Sequence, residues 1–471
     1  MLRKWHIRFL ACVLAAVAGL SCKRSPFISF STDEMSMIAG EDSCIAFSVT
    51  PGDVPVFWSS SNPAAVEVSP EGRITAKAEG TAVISALVDG GSEARCKVNS
   101  YELPIACENL ILFYTCGHNN GLSGPISNNQ KELLQGRLPG LDAYRDIVLF
   151  LQHSNDREPA LKRLGCNKKG EAVAEDFPLN GMKGWNEESV CLSTDTLANV
   201  LNYILDYFSP KHYYLVFSSH ATGWLPAGYY DQSDSYHYKE TCIRQATIGQ
   251  ELGTDKSTVY EMGLKNFAAK LPCFFDAIFF DACLMGGVEV AYELKDKCRY
   301  VGFSPTEILN HGMYYPTMVE RLLAGQLKGV AEDYMQYYRE HSGTKAGCYS
   351  LVDCGRIDEL ARACQTIFNR HGENMATIDA SGLQAYFRGN HPWFYDLRDI
   401  AVALGATEEE TQELDQALER CVIFADHTDK FLELRIDHSC GLSSYLPAKG
   451  NATLNDYYRN LLWNTTTGYV Q

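Results

Sequence analysis

Four almost unbroken apolar runs constrain this chain more than any other feature: NLILFYT, DIVLFLQ, YYLVFSSH and FDAIFFDAC. A strand with one face in water alternates apolar and polar side chains, so a run without alternation reads as a strand covered on both faces. Such strands belong to parallel sheets with helices on each side. Between the second and third runs, STDTLANVLNYILDYFSP sets Leu197, Val200, Leu201, Ile204, Leu205 and Phe208 at helical spacing, with Ser193 as cap and Pro210 beyond the end. The pattern predicts an α/β domain with a largely parallel central sheet.

The N-terminal part has another grammar. VFWSSSNP, AAVEVSPEGR and ITAKAEGTAVISALVDGG are short alternating runs broken by Asn-Pro, Pro-Glu-Gly and Gly-Gly turns, which predict a small β-sandwich. Ahead of it, MLRKWHIR is basic and FLACVLAAVAGL is apolar but short, the layout of a secretory signal. The chain divides into a signal peptide at 1–21, a β-sandwich at 22–103, an α/β core at 104–330 and an extension of that core at 331–471. In the extension, RIDELARACQTIFNRH, TEEETQELDQALERCVIFADH and LNDYYRNLLWN read as helices.

Removing the signal takes Arg3, Lys4 and Arg8 and no acid, which moves the formal charge from −17 to −20. So acidic a surface repels nucleic acid and anionic lipid. The 17 cysteines contain no C-x-x-C spacing, which excludes zinc ribbons and thioredoxin-like sites. Most read as free buried thiols in a domain large enough to need no staples; Cys44 and Cys96 are the one pair placed to test for a disulfide. Neither H-E-x-x-H nor any clustered ligand set is present, and the sequence requires no cofactor. DQSDSYHYKE at 231–240 has a faint calcium-loop character but lacks the glycine and the terminal glutamate of such loops.

In open parallel sheets functional groups collect at the carboxyl ends of strands, where the loops share one crevice. YYLVFSSH delivers His220 at one such end and FDAIFFDAC delivers Cys283 at another. A crossover containing STVYEMGLKNFAAKL, read as helical, makes these two strands neighbours. Each residue alone reads as structural. Together, at adjacent strand ends, they form what a thiol enzyme needs.

HATGW at 220–224 and FDACLMGGVEVAYEL at 280–294 resemble the two catalytic motifs of the clostripain family of cysteine endopeptidases, which have a caspase-like fold. SPTEILNHGMYYP, WFYDLRDI, CGLSSYLP and LNDYYRNLLW resemble later segments of that family, so the likeness covers about residues 104 to 471. The resemblance implies Cys283 as nucleophile, His220 as its partner, and the amides of Cys283 and Ala221 as oxyanion donors, with Ala221 standing where the family has glycine. A helix beginning near Met285 and Gly286 is expected to favour the thiolate. Relatives cleave after Arg or Lys, which implies an acid in the first subsite. Asp281, two residues before Cys283 on the same strand face, and Glu307 are the candidates, with a helix cap as the alternative for Asp281. Relatives have a further acid near the position of His311, and His118-Asn119-Asn120 stands where they have Asp-Asn-Asn. Calcium is used by some relatives, and many are cut between the two catalytic strands, here at Lys239, Arg244 or Lys256.

WSSSNPAAVEVSPEGRITAKAEGTAVISA is similar to bacterial immunoglobulin-like domains of group 2. Ser21-Cys22 resembles a lipobox, with Gly19 in place of the usual apolar residue. It implies a lipid anchor on Cys22 and attachment to the bacterial envelope, the alternative being a soluble exported protein cut near Ser21. Protein or peptide substrates are the implied partners. The rival from another class is a lipid-anchored binding or adhesion protein whose peptidase-like domain has lost catalysis.

Overall fold

The computed structural model describes residues 25–471 apart from 119–120, 155–156, 178, 180–181, 183–184, 186–188, 228, 230–247, 253–258 and 389–391. The signal, Cys22, Asn119, Asn120, the segment 231–240 and the three expected processing positions lie outside the described residues. The chain forms two compact units, 1–102 and 103–471.

In the first unit the strands Glu34–Ile38, Glu93–Tyr101, Gly80–Val88 and Val56–Ser60 form a four-stranded sheet in that order, and Asp42–Cys44, Arg73–Ala76 and Val66–Val68 form a second sheet. The alternation read from the sequence puts Val66, Ile74, Ile84, Cys96 and Val98 in its core, each fully buried. Cys44 and Cys96 are both free, which corrects the expected bridge. Cys96 pairs with Ile84 in the larger sheet and points into the core, whereas Cys44 is exposed on the smaller one beside Arg73. All fourteen described cysteines are free thiols.

The second unit is built on strands β1 (Ile105–Gly117), β2 (Asp146–Ser154), β3 (Arg157–Cys166), β4 (Ala172–Phe177), β5 (Phe208–Ser218), β8 (Phe275–Asp281), β9 (Cys298–Phe303), β10 (Cys348–Asp353) and β11 (Val422–His427). They form one sheet in the order β4-β3-β2-β1-β5-β8-β9-β10-β11. The hairpin of β6 (Ile248–Leu252) and β7 (Val259–Met262) stands apart from it. The four apolar runs form the parallel centre β2, β1, β5 and β8, joined by β9. Leu110 to Phe113, Leu149 to Leu151, Leu215 to Phe217 and Ile278 to Phe280 are wholly buried, as strands covered on both faces must be. Both margins turn antiparallel, at β2-β3-β4 and at β9-β10-β11.

Helix α1 (Ser123–Leu133) follows β1, and α2 (Thr194–Tyr207) starts where the Ser193 hydroxyl accepts the Thr196 amide at 3.0 Å. Two readings are corrected. Only α3 (Leu264–Lys270) of STVYEMGLKNFAAKL is helical, because Val259–Met262 pairs with β6. The helix expected to run through 427 ends at Cys421. There the alternating VIFADH becomes β11, one edge of the sheet, so the extension completes the core. No described helix is long and apolar enough to cross a membrane.

Candidate active site

Strands β5 and β8 run parallel with Ser218 opposite Asp281. His220 and Cys283 each follow two residues after that pair, in the loops just beyond the strand ends. Both line a pocket of about 650 Å³ whose wall also includes Leu122, Asp281, Glu307, His311 and Arg388.

The glycines of the two motifs hold this geometry. Gly223, at φ +68°, leaves room for a carbonyl: a Cβ there would lie 2.5 Å from the Leu284 oxygen. The histidine loop is thus seated directly on the residue after Cys283. Leu284 itself has φ 60°, a left-handed backbone unusual for a branched side chain, and its amide donates to the Thr306 carbonyl at 2.8 Å. Gly286 packs on the backbone of Ser304 and Pro305, where a Cβ would come within 2.3 Å of the Pro305 nitrogen. Gly223→Ala is therefore expected to lose about 1–3 kcal/mol of stability and at least about tenfold in turnover, since it forces both the backbone and the loop contact. Denaturant melts and initial rates on the same preparation check it.

Behind Cys283 the short helix α4 (Val288–Glu293) carries Glu289, a wholly buried carboxylate. Its Oε1 accepts from the Ser444 hydroxyl at 2.9 Å, the Tyr445 amide at 3.0 Å and the Tyr458 hydroxyl at 2.6 Å. The segments CGLSSYLP and LNDYYRNLLW thus brace the cysteine loop from behind, with Trp224 packed against Tyr445 and Tyr458.

Helix α4 begins at Val288, a few residues later than the start near Met285 and Gly286 read from the sequence, and spans only six residues. Burial pushes the Cys283 thiol up to about 12, with the charges of Glu307 and Asp281 raising it and the Ile308 amide and Arg388 lowering it. The Ile308 amide points at Sγ from 3.3 Å. Ala221 is buried and forms an isolated antiparallel bridge with Ile248.

Asp281 sits inside the pocket wall, 7% exposed. Its Oδ2 accepts from the Tyr315 hydroxyl at 2.6 Å and the Ser218 hydroxyl at 3.1 Å. It caps no helix: Gly287 holds that position for α4. Burial raises its carboxyl, partly offset by hydrogen bonds from Tyr315, Ser218 and the Met313 amide. Gly312, at φ +74°, gives the carboxylate its space, since a Cβ there would lie 2.5 Å from Oδ2. Glu307 lines the pocket too, but Arg388 holds its carboxylate and also reaches Glu433 at 3.0 Å. Its charge is thus shared with Arg388 inside the pocket.

The sequence reading missed Glu132, on α1. Its Oε1 lies 3.7 Å from His311 Nδ1, and its Oε2 and His311 Nε2 are buried without a hydrogen-bond partner among the described residues. Burial raises the Glu132 carboxyl, as does the charge of Asp281, which places the two acids in each other's field. Burial lowers the His311 imidazole, whose ring stacks on Tyr337 with centroids 4.2 Å apart. A thiol and an imidazole at neighbouring strand ends, beside a pocket with acids in its wall, suit acyl transfer.

The sequence model of the Clostripain family matches residues 114–469. The chain belongs to that family. It is a cysteine endopeptidase of clostripain type, and the caspase-like α/β fold expected from its motifs is the fold it has. The first unit matches the bacterial Ig-like domain of group 2 over residues 27–98. Among solved structures, an inactive zymogen C11 protease from Parabacteroides distasonis is similar at 26% identity and TM-score 0.64, over 77% of this chain and 98% of its own. A secreted C11 cysteine protease from Bacteroides thetaiotaomicron, in complex with an irreversible peptide inhibitor, shares the fold at 22% identity and TM-score 0.64, over 77% of this chain and 99% of its own. No curated protein matches the sequence.

Proposed function

We propose that this clostripain-family enzyme cleaves proteins or peptides after Arg or Lys by a Cys283–His220 dyad, from a lipid anchor at Cys22 on the bacterial envelope. The observation that carries the reading is the pocket itself: Cys283 and His220 at its rim, Asp281 in its wall and Glu132 close behind. A guanidinium is buried at acceptable cost only where carboxylates meet it. His220 takes the Cys283 proton as Sγ bonds to the scissile carbonyl carbon, with the amides of Cys283 and Ala221 serving the oxyanion. It then gives that proton to the departing amine as the C–N bond breaks, and water releases the acyl group. These steps require no cofactor, and calcium, which some relatives use, is the one ion this reading admits.

Relatives are often cut between the catalytic strands, and the same activating cut is expected here at Lys239, Arg244 or Lys256. An uncut chain with full activity would overturn that part.

His311 stands where relatives have an acid, and its lowered imidazole keeps it neutral above its ordinary value of 6.5. It becomes cationic only in acid, where Glu132 also begins to neutralise, since its carboxyl is raised. Both changes disfavour a basic residue in the subsite. The ratio of turnover on Arg against Gln peptides is therefore expected to fall several-fold as pH drops below about 6.5. His311→Gln should flatten that fall, as read from a fluorogenic panel varying only the residue before the scissile bond. The same panel tests the main reading. Arg and Lys peptides turned over best support it, and cleavage after Asp, Asn or a bulky apolar residue with Arg and Lys ignored contradicts it.

Anchoring rests on Ser21-Cys22 at the end of the apolar stretch. Cys22→Ser is expected to move the protein from the membrane to the soluble fraction on cell fractionation, because no other attachment is called for. Unchanged membrane retention would defeat it.

A further inference from the structure

Away from the pocket, three buried side chains from distant parts of the chain converge: His153 at the end of β2, Cys191 just before α2, and Glu251 on β6. One ligand-type atom from each lies within 4.8 Å of the others. Glu251 is wholly buried, and its one ion-pair partner among the described residues is His153, through Nδ1 and Oε1. A carboxylate so deep carries a heavy desolvation cost unless a cation faces it. We propose that His153, Cys191 and Glu251 form a divalent transition-metal site of zinc type that fastens β6 to the strand ends.

The surroundings are those of a held ligand set. The second oxygen of Glu251 accepts the Leu192 amide at 2.8 Å, which fixes the carboxylate plane. The Tyr114 hydroxyl donates to the Cys191 carbonyl at 2.5 Å and fixes the backbone that carries the thiol. The His153 ring stacks on His118 with centroids 4.7 Å apart, and His118 holds β6 through Nδ1 to the Leu252 carbonyl at 2.7 Å. Around a zinc ion with bonds of 2.0–2.3 Å, tetrahedral ligand atoms stand about 3.3–3.8 Å apart, so the ion enters by parting the hydrogen-bonded His153 Nδ1 and Glu251 Oε1 and displacing the proton between them. Imidazole, thiolate and carboxylate together suit zinc and not calcium or magnesium, which take oxygen ligands. Thiolate is the form of Cys191 that ligates, so binding releases its proton to solvent.

None of the three residues lines the pocket. The site acts through β6, whose Ile248 bridges Ala221 next to His220 while Glu251 sits three residues along the same strand. With water in the fourth position, the ion ties the strand beside the histidine loop to the end of β2 and to the segment before α2. This inference is independent of the specificity reading.

The test uses the full protein carrying Cys283→Ser, which removes the pocket thiol as a competing ligand. After chelator treatment the sample is titrated with Co²⁺ and followed by its sulfur-to-cobalt charge-transfer absorption, and zinc content is measured by elemental analysis. One equivalent of Co²⁺ with that band is expected, lost on adding Cys191→Ser, along with zinc affinity weakened by about tenfold or more. Zinc should also raise the melting temperature of the parent and not of the Cys191→Ser protein. No metal uptake by the parent, or a charge-transfer band that survives Cys191→Ser, overturns the proposal. The parent measurement alone decides it should the second substitution fail to fold.

Discussion

Replacing Cys283 by Ala is expected to lower peptidase turnover by about 10⁵-fold or more while leaving the melting temperature within a few degrees of the parent. Among the described residues the sulfur makes two weak polar contacts, both with the Ile308 backbone, so its loss opens little space and breaks no strong bond there. His220→Ala should cost activity on the same scale. Because the imidazole acts only by moving the proton of that one thiol, the double substitution should be no worse than either single one. A double variant losing the product of the two single losses would mean that the residues act independently and are not a dyad. Initial rates on an arginyl peptide, with circular dichroism on each variant, measure all three.

Asp281→Asn is expected to reduce kcat/KM on peptides with Arg before the scissile bond by about 10²- to 10³-fold, the range for removing one member of a buried charge pair. Peptides with a neutral residue there should change little. Asparagine matches the shape of the carboxylate, and the hydroxyls of Ser218 and Tyr315 can turn to accept from its amide, so the pocket keeps its walls. Stability should move the other way. Burial raises the folded-state value of Asp281, so the ionised carboxylate costs stability once pH exceeds that value. Below the ordinary carboxylate range the group is protonated in folded and unfolded chains alike and the penalty vanishes. The Asn variant is thus expected to melt at or above the parent near neutral pH and to match it in strong acid. Equal losses on Arg and neutral peptides would show a damaged pocket and refute a role for the charge.

Much of this architecture is written in local pattern. The unbroken runs at 109–115 and 146–152 announce covered strands because period and burial are properties of a few consecutive residues. The catalytic motifs are legible for a related reason: Gly223 and Gly286 sit within five residues of His220 or Cys283 and are required by backbone contacts there. Glu132 is different. On the sequence it is one polar residue in SGPISNNQKEL, and nothing local reveals that α1 turns it toward His311, 179 residues later. The cluster of His153, Cys191 and Glu251 was invisible for the same reason, since no spacing rule links residues brought together by sheet order. The helix through VIFADH failed because a helical run and an edge strand abut without a turn residue between Cys421 and Val422. The helix after Cys283 starts at Val288 and not near Met285, because Gly286 packs there on the backbone of Ser304 and Pro305.

The most direct test of the account is to react the purified, processed enzyme with a peptidyl acyloxymethyl ketone carrying Arg and to map the adduct by mass spectrometry. One label per chain on Cys283, on no other cysteine, and absent after denaturation or in His220→Ala, is the predicted result. No adduct, or an adduct spread over other thiols with Cys283 unmodified, would contradict it and leave a peptidase fold serving only to bind.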